Sequence, residues 1–480
     1  MSSLAGQMKA ALASREDRVI RRSLPNPAES QLVDFNSNDY LSLSQYAPLR
    51  SHFILKLQSA PNILGSGGSR LLVNGRAHSD LEARLAQFFN APSALLFNSG
   101  LDANIGFFSC VPQLGDIVVS DEYIHASVHD GVRASRVRGS HRTFSHNSVP
   151  ALREVLEKVI SERQGAAAGR HSVFVAVETL YSMDGTFSPL VEIVELVEEL
   201  FPKGNGYIVV DEAHSTGIYG PQGRGIVALL GLENRVLARL HTFGKALAGS
   251  GGLCAPPENS ASTHPYTIAV IVTNSLLRDY MINYARTLIY TTSLSYANVI
   301  AVDCSFDMLD NGAGQDVGQT CRLATHHYAD KNQTQLATKV LELSTYFVDT
   351  LRPRLASIPR SVLSLLPHLK QQLKSQPSPH HTTLPSPIIA VLTAYPRPLS
   401  AFLYSRGMNA RPITWPTVPK GKDRVRVCLH AGNTWAEVDG LVEVIMEWAG
   451  EVLAQIQEKE GKTGEDEAGR GVKVLMEAKL

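Results

Sequence analysis

Through the middle of the chain the apolar residues alternate between two spacings. "SDLEARLAQFF" (79–89) places Leu81, Leu85, Phe88 and Phe89 at helical intervals, and "SALLF" (93–97) is a short unbroken apolar run. "GDIVVSDEYIHAS" (115–127) predicts a strand ending in a polar turn. A helix around "PALREVLEKVI" (150–160), a strand "SVFVAVE" (172–178), a helix around "LVEIVELVEEL" (190–200) and a strand "GYIVVDEAH" (206–214) follow, and "RVLARLHTFGK" (235–245) closes the series. Strands this uniformly apolar have no wet face, so they predict a parallel sheet covered by helices on both sides. Ligands of such sheets bind beyond the C-terminal ends of the strands. The polar residues placed there are His125, Glu178, Asp211, His214 and Lys245.

The remainder divides the chain. Prolines and polar residues at 253–269 predict an inserted loop before a strand-to-helix segment at 270–285, and 374–387 predicts a second loop. Beyond about residue 295 a helix (337–355), a strand (386–395) and an alternating, half-exposed strand (423–432) predict a smaller α+β domain. The expected organisation is an N-terminal arm (1–50), a large domain (51–295), a small C-terminal domain (296–457) and a solvated, charged tail (458–480). The first 25 residues predict an amphipathic helix, and Glu16 and Asp17 argue against a mitochondrial transit peptide. The last three residues, Ala478-Lys479-Leu480, resemble a peroxisomal address and lead us to expect that organelle, with the cytoplasm as the alternative.

Composition narrows the partners. With 45 Lys plus Arg against 45 Asp plus Glu, the chain has no global field for nucleic acid or an anionic membrane. It has no apolar run long enough to span a bilayer. Five cysteines without a CxxC pair fit a reducing compartment with free thiols. His380 and His381 lack a partner at ligand spacing, so no metal site is expected. "DEAH" (211–214) is a helicase signature, but no phosphate loop accompanies it.

Lys245 asks for a chemical explanation, because an ammonium group at the end of a core strand is costly to bury. A lysine in a dry site loses affinity for its proton and becomes a nucleophile that forms Schiff bases with carbonyl compounds. Pyridoxal phosphate is the carbonyl cofactor that pairs such a lysine with an acid at its ring nitrogen. Asp211 is placed to be that acid, and His214, three residues on, to reach the ring hydroxyl. Thr242 and the amides of Gly100 and Leu101 are candidates for the phosphate.

"DEAHSTGIYGPQGRG" (211–225) followed by "HTFGKALAGSGG" resembles the α-oxoamine synthase family of fold-type I pyridoxal-phosphate enzymes. "FNSNDYLSL" (35–43), "GSGGSR" (65–70), "HSDLE" (78–82), "FNSGLDAN" (97–104), "DEYIHAS" (121–127), "ETLYSMDGTFSPL" (178–190), "INYARTLIYTTSL" (282–294) and "PTVPKGKDRVRVCL" (416–429) fall in the family's order, over roughly residues 30 to 445. The resemblance implies an α/β fold-type I transferase with a large, mostly parallel sheet domain and a smaller α+β C-terminal domain. It implies that Lys245 binds the cofactor aldehyde and moves protons, that Asp211 pairs with the pyridine nitrogen, that His125 stacks on the ring, and that His214 and Ser182 lie at the ring hydroxyl. Thr242, Gly100 and Leu101 would hold the phosphate, with Thr291 or Thr292 reaching it from the other subunit of a homodimer. Asn38 and Arg426 would grip the amino-acid carboxylate and Thr417 would line the acyl side.

The implied activity is a decarboxylative condensation of an amino acid with an acyl-CoA. Alanine with pimeloyl-CoA, on the route to biotin, is favoured if the C-terminal tripeptide is an address. Arg21 or Arg22 is then the candidate cation for the acyl carboxylate. A synthase of secondary metabolism and a catalytically silent scaffold subunit are the rival readings. Three features depart from the family's pattern: a shortened Gly75-Arg76-Ala77 before His78, the insertion at 253–269, and Thr414 where many relatives have arginine.

Overall fold

The computed structural model describes residues 3–18, 20–21, 32–249, 268–310, 335–367, 369 and 384–462. Strand β1 (Val33–Asp34) belongs to the N-terminal arm. The large sheet has seven strands: β2 (Ser93–Phe97), β3 (Ile117–Asp121), β4 (His141–Phe144), β5 (Val173–Glu178), β6 (Gly206–Asp211), β7 (Ala238–Thr242) and β8 (Ala269–Thr273), in the order β2-β8-β7-β6-β5-β3-β4. From β7 through β4 all neighbours pair in parallel. All side chains of β3, β5 and β7 are buried, as expected of strands covered on both faces.

Two features of this sheet differ from the expectation. β8 runs antiparallel to both β2 and β7. Its "AVIVT" is buried along its whole length, so nothing in its periodicity encodes direction. β4, "HRTF", is a polar edge strand that hydrophobic patterning does not mark. The predicted strand 206–214 stops at Asp211, because that carboxylate accepts the Ala213 N–H and turns the chain.

The small sheet, β9 (Ser364–Leu365), β10 (Ile388–Leu392), β12 (Arg411–Ile413) and β13 (Arg424–Cys428), is antiparallel in the order β12-β13-β10-β9. The arm joins it directly. β1 pairs in parallel with β11 (Met408–Asn409), Cys428 N–H donates to Phe35 O, and Ala431 N–H donates to Tyr40 O. Phe35, Tyr40 and Leu41 are fully or almost fully buried in one core with Val425, Val427 and the helix Gln335–Arg354. This threading carries Asn38 and Tyr40 toward the end of the large sheet. A buried ion pair between Arg424 and Asp184 further ties the small domain to the loop after β5.

The N-terminal helix spans only Ser3–Asp17 of the expected 25 residues and is not the amphipathic helix expected: it buries no residue, and Leu4, Met8 and Leu12 all face solvent. Arg21 pairs with Glu16. The last helix, Trp435–Lys462, runs past the expected start of the tail. No described helix is long and apolar enough to cross a membrane. The 253–267 part of the insertion, Arg22, His380, His381 and Ala478–Leu480 lie outside the described residues.

Candidate active site

Asp211 and Glu178 end adjacent strands in register, so two carboxylates stand side by side at the rim where a ligand is expected. Both are buried. Lys245 sits three residues beyond β7 and within electrostatic reach of both acids. Burial lowers the pKa of Lys245, and Asp211 and Glu178 oppose that shift without cancelling it. Burial and the neighbouring Asp211 push the Glu178 carboxyl well above its ordinary range, and it accepts the His125 backbone N–H.

The turn after Asp211 is locked from beneath by Glu212. This fully buried carboxylate accepts the N–H groups of Ile226 and Val227 and the Ser215 hydroxyl. Gly225 has φ +98°, and a Cβ there would sit 1.9 Å from Glu212 Oε2. Only glycine lets the loop close on the acid. His214 is thereby held in the cleft at 6% exposure.

A continuous hydrogen-bond path supports the face carrying His125. Asn104 Nδ2 donates to Asp211 Oδ2 at 2.9 Å and to Ser127 Oγ at 3.0 Å, and Ser127 Oγ lies 2.7 Å from His125 Nδ1. One amide thus fixes both Asp211 and the residue that orients the His125 ring. Asn104→Ala should remove one of the two donors holding Asp211, a charge-assisted bond of about 1.4 kcal/mol or more. The expected result is an approximately tenfold weaker hold on pyridoxal phosphate, measured by absorbance titration of the cofactor into stripped protein.

The other wall comes from the arm and the small domain. Tyr40 Oη lies 2.8 Å from His214 Nδ1 and donates to Asn38 Oδ1 at 3.2 Å. Arg426, 8% exposed, donates to Ser182 O at 3.2 Å and Asn36 O at 3.0 Å, while its Nε is buried without a partner. That orphaned Nε–H and an adjacent N–H form the fork that a carboxylate fills.

At the remaining end, Gly100 opens the helix Gly100–Cys110, capped by Ser99, whose hydroxyl accepts the Asp102 N–H. A Cβ on Gly100 would come within 2.6 Å of the Thr242 methyl, so the helix start packs directly on Thr242. Among the described residues the Gly100 and Leu101 N–H groups have no protein acceptor, as an anion-binding helix start requires. The Leu101 side chain is exposed.

Thr291 and Thr292 meet Asn98 of their own chain, through Asn98 Nδ2 to Thr291 Oγ1 at 3.2 Å and to Thr292 O at 2.7 Å. Thr417 is exposed, in a turn closed by its own N–H to Thr414 O. The structure therefore gathers Lys245, Asp211, His125, His214, Asn38, Arg426 and Ser182 into one cluster, with Gly100 and Thr242 packed against each other. It gives Thr417 no contact with them. His78 is fully buried, its Nε2 2.9 Å from Leu294 O, so the shortened segment before it delivers a core residue.

Sequence reasoning overlooked Tyr40, Asn104 and Ser127. All three lie inside motifs quoted for other residues, and their roles rest on cross-chain contacts that no local pattern reports.

Burial, Lys245 and Arg426 hold the His214 imidazole well below its ordinary 6.5. The neutral ring therefore persists as pH falls past 6.5. Below 6.5 the unfolded chain binds a proton that native His214 refuses, so acidification costs stability in that window. kcat/KM is expected to show no inflection assignable to His214 near pH 6.5. The urea midpoint should fall from pH 7.5 to 5.5, less steeply in His214→Gln; an equal slope in the variant would contradict the assignment.

The donor set fits pyridoxal phosphate: a lysine whose proton affinity burial lowers, a buried carboxylate beside it, a free pair of helix N–H groups and an orphaned guanidinium Nε–H for a substrate carboxylate. A family model described as aminotransferase class I and II matches residues 30–445. The chain is 42% identical over 448 residues to 8-amino-7-oxononanoate synthase of Emericella nidulans, covering 93% of this chain and 96% of that one. It is 34% identical over 451 residues to aminoacyl transferase sphA of Aspergillus fumigatus, covering 93% and 87%. In fold it is similar to the serine palmitoyltransferase of S. paucimobilis solved with bound pyridoxal phosphate and myriocin, with a TM-score of 0.69 at 20% identity over 95% of this chain and 100% of that one.

Proposed function

The chain belongs to the aminotransferase class I and II family, in its α-oxoamine synthase branch, and is a pyridoxal-phosphate-dependent acyltransferase; from that premise we propose that it joins L-alanine to pimeloyl-CoA with loss of carbon dioxide, giving 8-amino-7-oxononanoate for biotin synthesis. The observation that carries this choice of substrates is the 42% identity to 8-amino-7-oxononanoate synthase across nearly the whole of both chains.

Bound at Lys245, pyridoxal phosphate supplies an electron sink for a carbanion at the amino-acid α-carbon. The chain's own residues do the rest. Lys245 Nζ, with its proton affinity lowered by burial, takes the α-proton and returns one after the carboxylate is lost. Asp211, steadied by Asn104 and the Ala213 N–H, keeps a negative charge at the ring-nitrogen position. Arg426 and Asn38 orient the amino-acid carboxylate, and His125 packs over the ring. Gly100, Leu101 and Thr242 hold the phosphate, with Thr291 or Thr292 contributed by the second subunit of a homodimer.

The Ala478-Lys479-Leu480 terminus supports a peroxisomal site for the reaction. A fluorescent fusion with and without those three residues tests it: unchanged peroxisomal fluorescence after their deletion would refute the address.

The 34% identity to aminoacyl transferase sphA supports one alternative, a synthase of secondary metabolism acting on a longer acyl chain. Assaying CoA release with alanine, glycine and serine against pimeloyl-CoA and palmitoyl-CoA separates the two. Turnover with alanine and pimeloyl-CoA alone is expected; a preference for serine or glycine with the long chain would replace the biotin reading.

A further inference from the structure

Strand β13 carries two buried guanidinium groups on one face. Arg424 and Arg426 stand two residues apart, so both project from the small domain to the same side, and they are 1% and 8% exposed. Only one of them has an anion of its own. Arg424 is paired with the buried carboxylate of Asp184. Among the described residues, Arg426 donates only to the carbonyl oxygens of Ser182 and Asn36.

The loop after β5 is seated against these two arginines residue by residue. Ser182 O accepts from Arg426 Nη1 at 3.2 Å, Met183 O accepts from Arg424 Nη1 at 3.3 Å, and the Asp184 carboxylate accepts from that same Arg424 nitrogen. The next residue, Gly185, has φ +67°, and a Cβ there would stand 1.9 Å from Ile388 O on β10. Four consecutive residues of the large domain are therefore held flush on the small sheet, with the Asp184–Arg424 pair in the middle of the contact. A buried pair keeps its place because separating it leaves two uncompensated charges out of water. Its geometry is imposed on the residues either side, including the carbonyl oxygen that aims the Arg426 guanidinium.

We propose that Asp184 is a positioning residue for the amino-acid substrate: through Arg424 it fixes Ser182 O, and Ser182 O, together with Asn36 O, turns Arg426 so that its orphaned Nε–H is left for the substrate carboxylate. β13 then meets its two cations with two anions, one supplied by the protein and one by the substrate. The proposal rests on Arg426 being the carboxylate receptor of the proposed reaction. Because Asp184 acts through Arg424, its loss should alter carboxylate recognition and spare the chemistry at Lys245.

The experiment compares two amines on the cofactor-loaded enzyme. L-Alanine and ethylamine carry the same primary amine and differ by the carboxylate, so the ratio of their dissociation constants, read by absorbance titration, measures what the carboxylate contributes. Arg426→Lys should collapse that ratio by removing the fork. Asp184→Asn keeps nearly the same shape and removes the charge that anchors Arg424. It should weaken alanine about tenfold, the scale of one hydrogen bond to a charged group, and leave ethylamine unchanged. Gly185→Ala displaces the same loop with both charges intact and should act in the same way, which keeps the test decisive if Asp184→Asn does not fold. In turnover, both variants should raise KM for alanine about tenfold, with kcat at saturating alanine within about twofold of the unmodified enzyme. In the Arg426→Lys background, Asp184→Asn should lower the ratio no further, since both changes act on one contact.

Equal weakening of both amines by Asp184→Asn and Gly185→Ala, the outcome of a merely structural role, overturns the proposal, as does an unchanged alanine constant. A ratio that survives Arg426→Lys overturns the carboxylate assignment and the positioning role together. A ratio that collapses in Arg426→Lys but holds in Asp184→Asn removes the positioning role alone and leaves the proposed reaction standing.

Discussion

Lys245→Ala is expected to abolish condensation, lowering kcat/KM by at least about 10⁴-fold, the upper range for a group that both tethers a reactant and moves its proton. The expectation follows from surroundings rather than from the residue type. A lysine in water holds its proton to about pH 10.4 and is neither a base nor a nucleophile at neutrality. Here burial lowers that affinity, while Asp211 and Glu178 limit the shift. No other described lysine shares this setting: Lys56, for example, has its pKa raised by its ion pairs with Asp303 and Asp307. The variant should still bind pyridoxal phosphate through Asp211, Thr242 and the start of the helix at Gly100, but without the visible absorption of a lysine-linked cofactor. Retained activity within tenfold of the unmodified enzyme would place the chemistry on another residue. Absent activity in the unmodified enzyme, with the absorption present, would instead favour a scaffold subunit that binds cofactor without turning over.

The division of the site between legible and hidden parts has a physical basis. Lys245, Asp211 and His125 could be placed from the sequence because each follows an apolar strand directly, and strand ends in a covered sheet are where polar groups meet a ligand. The helices 149–162 and 190–200 and the strands 93–97 and 173–178 were equally plain, since burial on one or both faces imposes a period. The direction of β8 was not, because full burial erases the alternation that would mark a face, and direction is decided by connections. Tyr40 and Asn104 were hidden for another reason. Their partners, His214 and Asp211, lie far along the chain, and a tyrosine or asparagine in a motif is as readily explained by packing or a turn. Arg426 was reached only through the family resemblance, and its orphaned Nε is visible only in the folded contacts.

Asp211→Asn should cost about 10³-fold in kcat/KM while leaving the fold intact, the scale seen when one preorganised electrostatic partner of a transition state is removed. The substitution is nearly isosteric. An asparagine Oδ1 can still accept the Ala213 N–H that closes the turn, so the geometry of 211–214 should survive, and near-ultraviolet circular dichroism should match the unmodified protein. On the proposed reading, what is lost is the negative charge that would keep a proton on the ring nitrogen of bound pyridoxal phosphate, and with it the depth of the electron sink. The neighbours report the same loss independently. Asp211 raises the proton affinity of both Glu178 and Lys245, so without its charge the Glu178 carboxyl should become more acidic and the Lys245 ammonium should give up its proton more readily. The acidic limb of kcat/KM, where Lys245 loses its proton to become the base, should therefore move to lower pH as the plateau falls. A loss below tenfold, or an unmoved pH profile, would mean that the acid at the end of β6 shapes the turn and does not face the ring.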